Sequence, residues 1–253
     1  MKLSIVGTGN VAHHLGSLFK KAGVQFAEVY GHSSDKALDL SKKLNCHPSD
    51  SISKLTGDLI LVCVTDDVIP KIVSSISTDK YVVYTSGSMQ LNECGRTENT
   101  GVLYPLQTLK KGSEVTTSDL PLLIEAQSAV LLAEINKLAQ MISNNVHQVS
   151  SENRLYYHLS AVWMNNFTNH LVYIAQDLLH DRNLDVELLK PLLRETAEKL
   201  KQGDPFYAQT GPARRGDKRI IEVHQSILSG NQQTLYALLS ECIQQTYHKD
   251  DQL

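Results

Sequence analysis

The sequence predicts an α/β fold: a mostly parallel, doubly wound sheet over residues 1–150, followed by an all-α domain over residues 151–253. Three observations carry this. Short apolar runs alternate with amphipathic helical patterns as far as Val149, the rhythm of strands joined by crossover helices. Those runs are closed by Gly, Thr, Ser, Asp or Pro, so loops fall regularly after strands. From Ser151 onward strand-like runs cease and only helical periodicity continues.

The first strand is the apolar run Leu3, Ile5, Val6, which stops at Gly7. The helical pattern that follows carries Val11, Leu15, Leu18 and Phe19. Across the turn Gly7, Gly9 and Ala12 stand in G-x-G-x-x-A spacing. Gly7 permits the tight turn, Gly9 lets the backbone approach a pyrophosphate, and small Ala12 lets helix and strand pack closely. The first helical N–H groups have no partner within the helix, and they sit at its positive end, where a diphosphate fits. The strand–turn–helix context favours dinucleotide binding over a merely structural turn, and makes Gly7, Thr8, Gly9, Asn10, Val11 and Ala12 the candidate cradle.

At 253 residues the chain holds one large domain or two modest ones. The formal charge of −3 is spread along it, which argues against nucleic acid as a partner. No apolar run approaches the ~20 residues that span a bilayer, and the first strand leaves no room for a signal peptide. Cys46, Cys63, Cys94 and Cys242 form no C-x-x-C pair and show no metal spacing, so no metal site is expected. A reduced, cytoplasmic protein is the expectation.

Taken in order, Phe26–Gly31 reads as the second strand and Asp35–Leu44 as a helix. A short third strand is expected near Cys46 and a helical turn over Ile52–Leu55. Leu59–Val64 is the clearest buried strand, ended by Thr65-Asp66-Asp67 and followed by a helix near Val68–Ile76. Tyr81–Tyr84, Gly101–Tyr104, Leu122–Glu125 and Val146–Val149 complete the strands, with a helix over Ala129–Ile142 before the last. Beyond Ser151 a helical pattern runs without Gly or Pro to about Arg182. Helices are then expected at Val186–Lys201, with Pro191 near its start or kinking it, and at Asp217–Ser229 and Gln232–Tyr247.

The residue at the tip of the second strand meets the adenosine ribose in such a sheet. Glu28 has nearly the offset of a ribose-binding carboxylate, but strand-like residues follow it, which moves the tip to Gly31-His32-Ser33-Ser34 with Lys36 beyond. Hydroxyls and a cation suit a 2′-phosphate, so NADP is favoured over NAD, although Ser33 and Ser34 would be explained equally by capping the next helix.

Chemistry is expected outside the carboxyl ends of the strands, where Thr65, Asp66, Ser86 and Gln107 lie. Thr65 and Asp66 are candidates for the coenzyme, Ser86 and Gln107 for the substrate; each alone is explained as readily by a turn. In the long helix Leu155, Leu159, Val162 and Tyr173 share one apolar stripe, Asn166 falls within it, and His158 and Asn169 lie at its margin. A buried Asn needs hydrogen bonds, from a neighbouring helix or from a ligand. Arg214-Arg215-Gly216-Asp217 is either a solvated charge run or an anion site in which Arg215 holds a carboxylate.

Together, Gly7–Ala12, Thr65-Asp66-Asp67, Thr85-Ser86-Gly87, Tyr104-Pro105-Leu106-Gln107-Thr108, Tyr157-His158 with Asn166, and Thr210-Gly211-Pro212-Ala213-Arg214-Arg215-Gly216-Asp217 resemble a bacterial NADP oxidoreductase family. Its members join a Rossmann domain to a helical domain of unassigned function. More distantly the chain is similar to pyrroline-5-carboxylate reductase, ketopantoate reductase and the β-hydroxyacid dehydrogenases. The resemblance implies a helical domain like the C-terminal domain of 6-phosphogluconate dehydrogenase, a homodimer built through it, and a small substrate, anionic or not. The β-hydroxyacid dehydrogenases carry a catalytic lysine one turn before an asparagine; with Asn166 as that asparagine, this chain has Val162. His158, a turn further back, is the nearest group suited to proton transfer, with Asn166 orienting the substrate. The expected function is hydride transfer between NADP and a small carbonyl, imine or hydroxy acid. The alternative is a non-catalytic NADP-binding sensor or partner-binding module.

Overall fold

The computed structural model describes residues 1–96, 98–109 and 119–247. Its strands are β1 (Lys2–Val6), β2 (Gln25–Tyr30), β3 (His47–Ser49), β4 (Leu59–Val62), β5 (Tyr81–Tyr84), β6 (Thr100–Pro105), β7 (Leu122–Ala126) and β8 (Val146–Gln148). They form one sheet in the order β3-β2-β1-β4-β5-β6-β7-β8. The order reverses between β1 and β4, the place where a doubly wound sheet opens a crevice. All pairings are parallel except β6 with β7, which run antiparallel from Gly101↔Ala126 to Pro105↔Leu122.

The central strands are apolar on both sides because both sides are covered. On one face Leu3, Ile5, Leu59, Leu61 and Val83 pack with α1 (Asn10–Lys21) and α2 (Ser34–Leu44). On the other, Val6, Ile60, Val62 and Val82 pack with Ile69 and Val73 of α3 (Ile69–Ser74). The helix α4 (Ala129–Gln140) joins the first face through Leu131, Ile135 and Leu138. Gly16 of α1 admits Leu44 and Ile5, whose side chains would lie 3.1–3.2 Å from a Cβ placed there.

After β8 the chain is helical. α5 (Ser151–Ala161) passes into a π-helical segment, Val162–Phe167, and then α6 (Thr168–His180). The single regular helix expected here is therefore interrupted. A π turn shifts the angular phase, so a face counted at 100° per residue is not kept across it. The expected apolar stripe is also open to solvent in this chain, with Leu155 41%, Leu159 50% and Tyr173 58% exposed. α7 (Lys190–Gln202) begins with Pro191 in its first turn, where a missing N–H costs nothing. The short α8 (Pro205–Ala208) and α9 (Pro212–Arg215) lead to α10 (Lys218–Ile227) and α11 (Gly230–Tyr247).

The chain divides into compact units Met1–Phe167 and Thr168–Leu253, so α5 and the π segment go with the sheet. The anchor is Arg154, fully buried, which pairs with Glu125 of β7 and donates to the Met89 carbonyl. Glu125 in turn accepts from the Ser151 amide and hydroxyl at 2.9 and 2.7 Å. None of the described helices is long and apolar enough to cross a membrane.

Candidate functional site

The two glycines of the β1–α1 turn are held for different reasons. Gly7 has φ +117°, and a Cβ on it would lie 2.1 Å from the Cys63 carbonyl oxygen. Its amide donates to the Tyr30 carbonyl at 2.8 Å, so β1 closes against its neighbours just where the turn begins. Gly9, at φ −81°, is the N-cap of α1, and no side chain caps that helix. No acidic residue lies in its first turn, and a Cβ on Gly9 would meet nothing within 4 Å. A cleft of about 400 Å³ opens here, lined by Thr8, Gly9, Asn10, His13, Asp35, Lys36 and Asp39. Ala12 is fully buried beneath it, and Val11 is half-buried.

Beyond the tip of β2, His32, Ser34 and Lys36 are exposed and Ser33 half-buried. Ser33 caps α2, accepting from the Lys36 amide at 3.5 Å. Glu28 faces elsewhere. Its carboxylate accepts from the Ser4 hydroxyl at 2.5 Å, from the Thr56 amide at 3.2 Å and from the Thr56 hydroxyl. Thr56 precedes β4, at the amino end of that parallel strand, so Glu28 is tied to the rim opposite the cleft. Burial pushes its carboxyl upward, but the bonds from Ser4, Thr56 and Gly57 outweigh this and hold it below its ordinary value.

At the ends of β4 and β5, Asp66 accepts from the Ser86 hydroxyl at 2.8 Å and from the Ser88 hydroxyl. Ser86 is nearly buried and its oxygen accepts from the amides of Ser88 and Met89 at 3.1 and 2.9 Å. Its bonds are thus engaged in building the loop. Thr65 is exposed just before it.

A second cavity, about 490 Å³, lies along α5 and the π segment. Tyr104, Gln107, His158, Asn165 and Asn166 contribute its polar groups, and Leu106, Val162 and Met164 part of its apolar wall. The Tyr104 hydroxyl bonds Nδ1 of His158 at 2.9 Å, with the rings edge to face at 72°. Burial, then the charge of Asp66, raises the Tyr104 phenol above its ordinary value, while Arg154 acts in the opposite sense. Asn165 donates to the Thr108 hydroxyl at 2.7 Å, and the Gln107 side chain accepts from the Thr108 amide at 2.8 Å. Asn166 is exposed at this wall, as are Leu155 and Leu159 of the stripe in which it was expected, so no core of this chain faces that stripe.

Arg215 is exposed in the second unit, at the end of α9. The turn around it is structural: Gly216 is left-handed at φ 67°, and Asp217 caps α10 by accepting from the Ile220 amide at 3.1 Å. Its neighbour Arg214 stacks over Tyr247, 4.9 Å from the ring centre.

Of the residues singled out in sequence, Thr8, Gly9, Asn10 and Lys36 share the first cleft, and Gln107, His158 and Asn166 the second cavity. Thr65, Asp66, Ser86 and Arg215 line neither. Tyr104 and Arg154 were not singled out. The Tyr-Pro-Leu-Gln-Thr segment at a strand end was the available signal for Tyr104. Arg154, one polar residue among several at a helix start, had none.

Comparison places this architecture among known structures. A domain of unknown function, DUF2520, matches residues 120–243. No curated protein matches the chain in sequence. A protein of Thermotoga maritima shares 21% identity over 98% of this chain and 99% of its own, with a TM-score of 0.73. A reductive aminase of Aspergillus terreus, solved with NADPH and ethyl levulinate, shares the fold at 13% identity over 98% of this chain and 94% of its own (TM-score 0.73). The putative NADP oxidoreductase of Bacteroides fragilis is 32% identical over 96% of this chain and 98% of its own, with a TM-score of 0.88. At that identity and coverage the chain belongs to the same family, NADP oxidoreductases with an N-terminal Rossmann-like sheet and a helical C-terminal region.

Proposed function

We propose that the protein binds NADP and moves hydride between it and a small carbonyl, imine or hydroxy-acid substrate, with residues 1–150 as coenzyme domain and 151–253 as substrate and dimerisation domain. The observation that carries this is the contrast between Gly7 and Gly9. Packing accounts for Gly7, whereas nothing in the protein asks for glycine at 9, where φ suits any residue and a Cβ would enter open space. Bare backbone beside an uncapped helix N-terminus is what a diphosphate needs. Thr8, Asn10 and the amides of Val11 and Ala12 would hold it. His32, Ser33, Ser34 and Lys36 would receive the 2′-phosphate, with Glu28 engaged elsewhere. Of the two carboxylates in that cleft, Asp39 is paired with Lys43 at 3.6 Å.

When bound, the nicotinamide supplies or accepts the hydride. The chain's own groups do the rest: His158 exchanges the proton and Asn166 and Gln107 orient the substrate, while Arg215 in the second unit remains the candidate for holding an anionic group. Thr65, Asp66 and Ser86 build the strand-end loops that shape the crevice. The exposed Trp163, Met164, Leu171 and Leu192 favour a homodimer, whose second copy would cover them.

Fluorescence titration with NADPH and NADH tests the reading. Saturable binding, tighter for NADPH, is expected. Gly9→Ala should weaken it by about ten-fold or more, ~1.4 kcal/mol, without lowering the melting temperature. A titration without saturation would sink the proposal. Binding without turnover across a panel of oxo-acids and imines would instead favour the non-catalytic coenzyme-binding module.

A further inference from the structure

The second cavity contains one polar contact between two ring side chains, and its geometry is constrained from three sides. Tyr104 comes from β6 and His158 from α5, and they meet through the 2.9 Å bond to Nδ1. Gly87 fills the space beside that bond: a Cβ there would lie 2.7 Å from both Nδ1 of His158 and Cζ of Tyr104. The loop bearing Gly87 is fixed in turn by the bonds of Ser86 and Ser88 to Asp66. One helical turn before His158, buried Arg154 clamps the same side of α5 to Glu125 and the Met89 carbonyl. The imidazole is therefore held on its Nδ1 edge. Nε2, on the opposite edge, bonds no other described residue and is left for the cavity that His158 lines.

We propose that Tyr104 is a positioning residue that locks His158 through Nδ1, so that Nε2–H is the donor offered to the cavity and meets an acceptor atom of the substrate, a carbonyl oxygen or imine nitrogen. The reaction named in this proposal rests on the oxidoreductase reading above, whereas the locked ring does not. Burial and the charge of Asp66 disfavour the phenolate, so Tyr104 keeps its proton. Nδ1 is the acceptor the fold gives that proton. When the ring is neutral the phenol therefore donates to Nδ1, and the ring's own proton resides on Nε2. When the ring is charged both nitrogens carry protons, and the hydroxyl turns to accept from Nδ1. Nε2 thus presents N–H in both resting states.

Reduction then balances simply. As hydride from a reduced nicotinamide adds to the substrate carbon, the charged ring's Nε2–H bond breaks and an O–H or N–H bond forms on the substrate. The neutral ring left behind holds its remaining proton on Nδ1, where the Tyr104 oxygen accepts it. The oxidative direction runs through the same states in reverse, with the Nδ1-protonated ring taking the proton at Nε2.

The test is the tautomer, read by two-bond proton–nitrogen correlation spectra of protein labelled with ¹⁵N-histidine. His158 is assigned with the His158→Asn variant, at a pH well above the ordinary histidine range. The expected result is a protonated Nε2 and an unprotonated Nδ1 whose resonance carries the displacement of an accepted hydrogen bond. Tyr104→Phe should abolish that displacement. Gly87→Ala should do the same with Tyr104 still in place, which keeps the test alive if the Phe variant does not fold. A protonated Nδ1 in the unmutated protein, or an Nδ1 signal unmoved by these substitutions, overturns the proposal. With an imine or oxo-acid that the enzyme reduces, Tyr104→Phe should lower kcat about ten-fold or more with KM little changed. The tautomer is read without coenzyme, so a failed NADPH titration sinks the oxidoreductase reading while leaving the locked ring standing or falling by itself.

Discussion

The two units of the chain treat their apolar residues differently. In Met1–Phe167 the sheet is covered on both faces, and Leu3, Ile5, Phe19, Leu61 and Val82 are fully buried. In Thr168–Leu253 only Ala213, Ser240 and Tyr247 among the described residues are buried, while Leu188, Leu192 and Tyr207 stand 77%, 61% and 84% exposed. A sheet with helices on both sides is complete in one copy. Amphipathic helices need a second layer against their apolar stripes, and one chain supplies too little of it. The difference teaches that the sheet of the first unit carries its own core, whereas the apolar side chains of α5, the π segment and the second unit stay exposed in a single copy, as the proposed homodimer would require.

The largest effect should come from breaking the first unit's buried ion pair. Arg154→Met leaves the largely buried Glu125 carboxylate with only its Ser151 bonds and no cation, and α5 loses its clamp. A loss of about 3–5 kcal/mol is expected, read from urea unfolding followed by circular dichroism. Replacing both partners, Arg154→Met with Glu125→Leu, should cost clearly less, because no lone charge remains. If single and double variants unfold alike, the pair is not what holds α5.

Next in size is the effect expected if a second copy covers the second unit, as proposed. α6, α7 and the helical turn Val186–Leu189 before α7 form a groove of about 270 Å³ walled by Leu171, Leu189, Leu192 and Leu193. Leu171→Asp and Leu192→Asp test whether solution covers this surface as the single chain does not. With a dimer covering it, light scattering should show the mass fall to that of one chain, and each substitution should cost about 1.5–3 kcal/mol. If these residues face water in solution, the mass stays unchanged and the cost lies within ~0.5 kcal/mol.

The same contrast governs what could be read in the sequence. Strands β1, β4 and β5 were legible because buried parallel strands are nearly continuous apolar runs ended by loop residues. The glycine turn was legible because its requirement is local to the backbone. The antiparallel sense of β7 was not, since hydrophobic pattern carries no direction. The π segment was not legible, because periodicity assumes a regular helix and no Gly or Pro announces the break. Tyr104 and His158 are far apart in sequence, and their bond exists only once β6 and α5 are brought together. Arg154 and Glu125 are hidden for the same reason: a buried pair looks like two ordinary surface charges until the fold removes the water.

The smallest expected effect separates structure from coenzyme reading inside the first unit. Glu28 stands near the position where a carboxylate would read a ribose, yet its bonds go to Ser4 and Thr56. Burial raises its carboxyl, but those bonds leave it below the ordinary value. A depressed carboxyl contributes stability above its unfolded-state value, and that contribution is lost as the pH falls through the folded-state value. Glu28→Gln should therefore flatten the fall in melting temperature below the ordinary carboxylate range. Because the group is only half-buried and partly screened by solvent, the contribution near neutral pH should stay under about 1 kcal/mol. The same variant should leave the ratio of NADPH to NADH affinity unchanged, whereas Lys36→Ala should lower it. A changed ratio in Glu28→Gln would mean that this carboxylate meets the adenosine after all, and that the tip of β2 is read by the strand rather than by the loop beyond it.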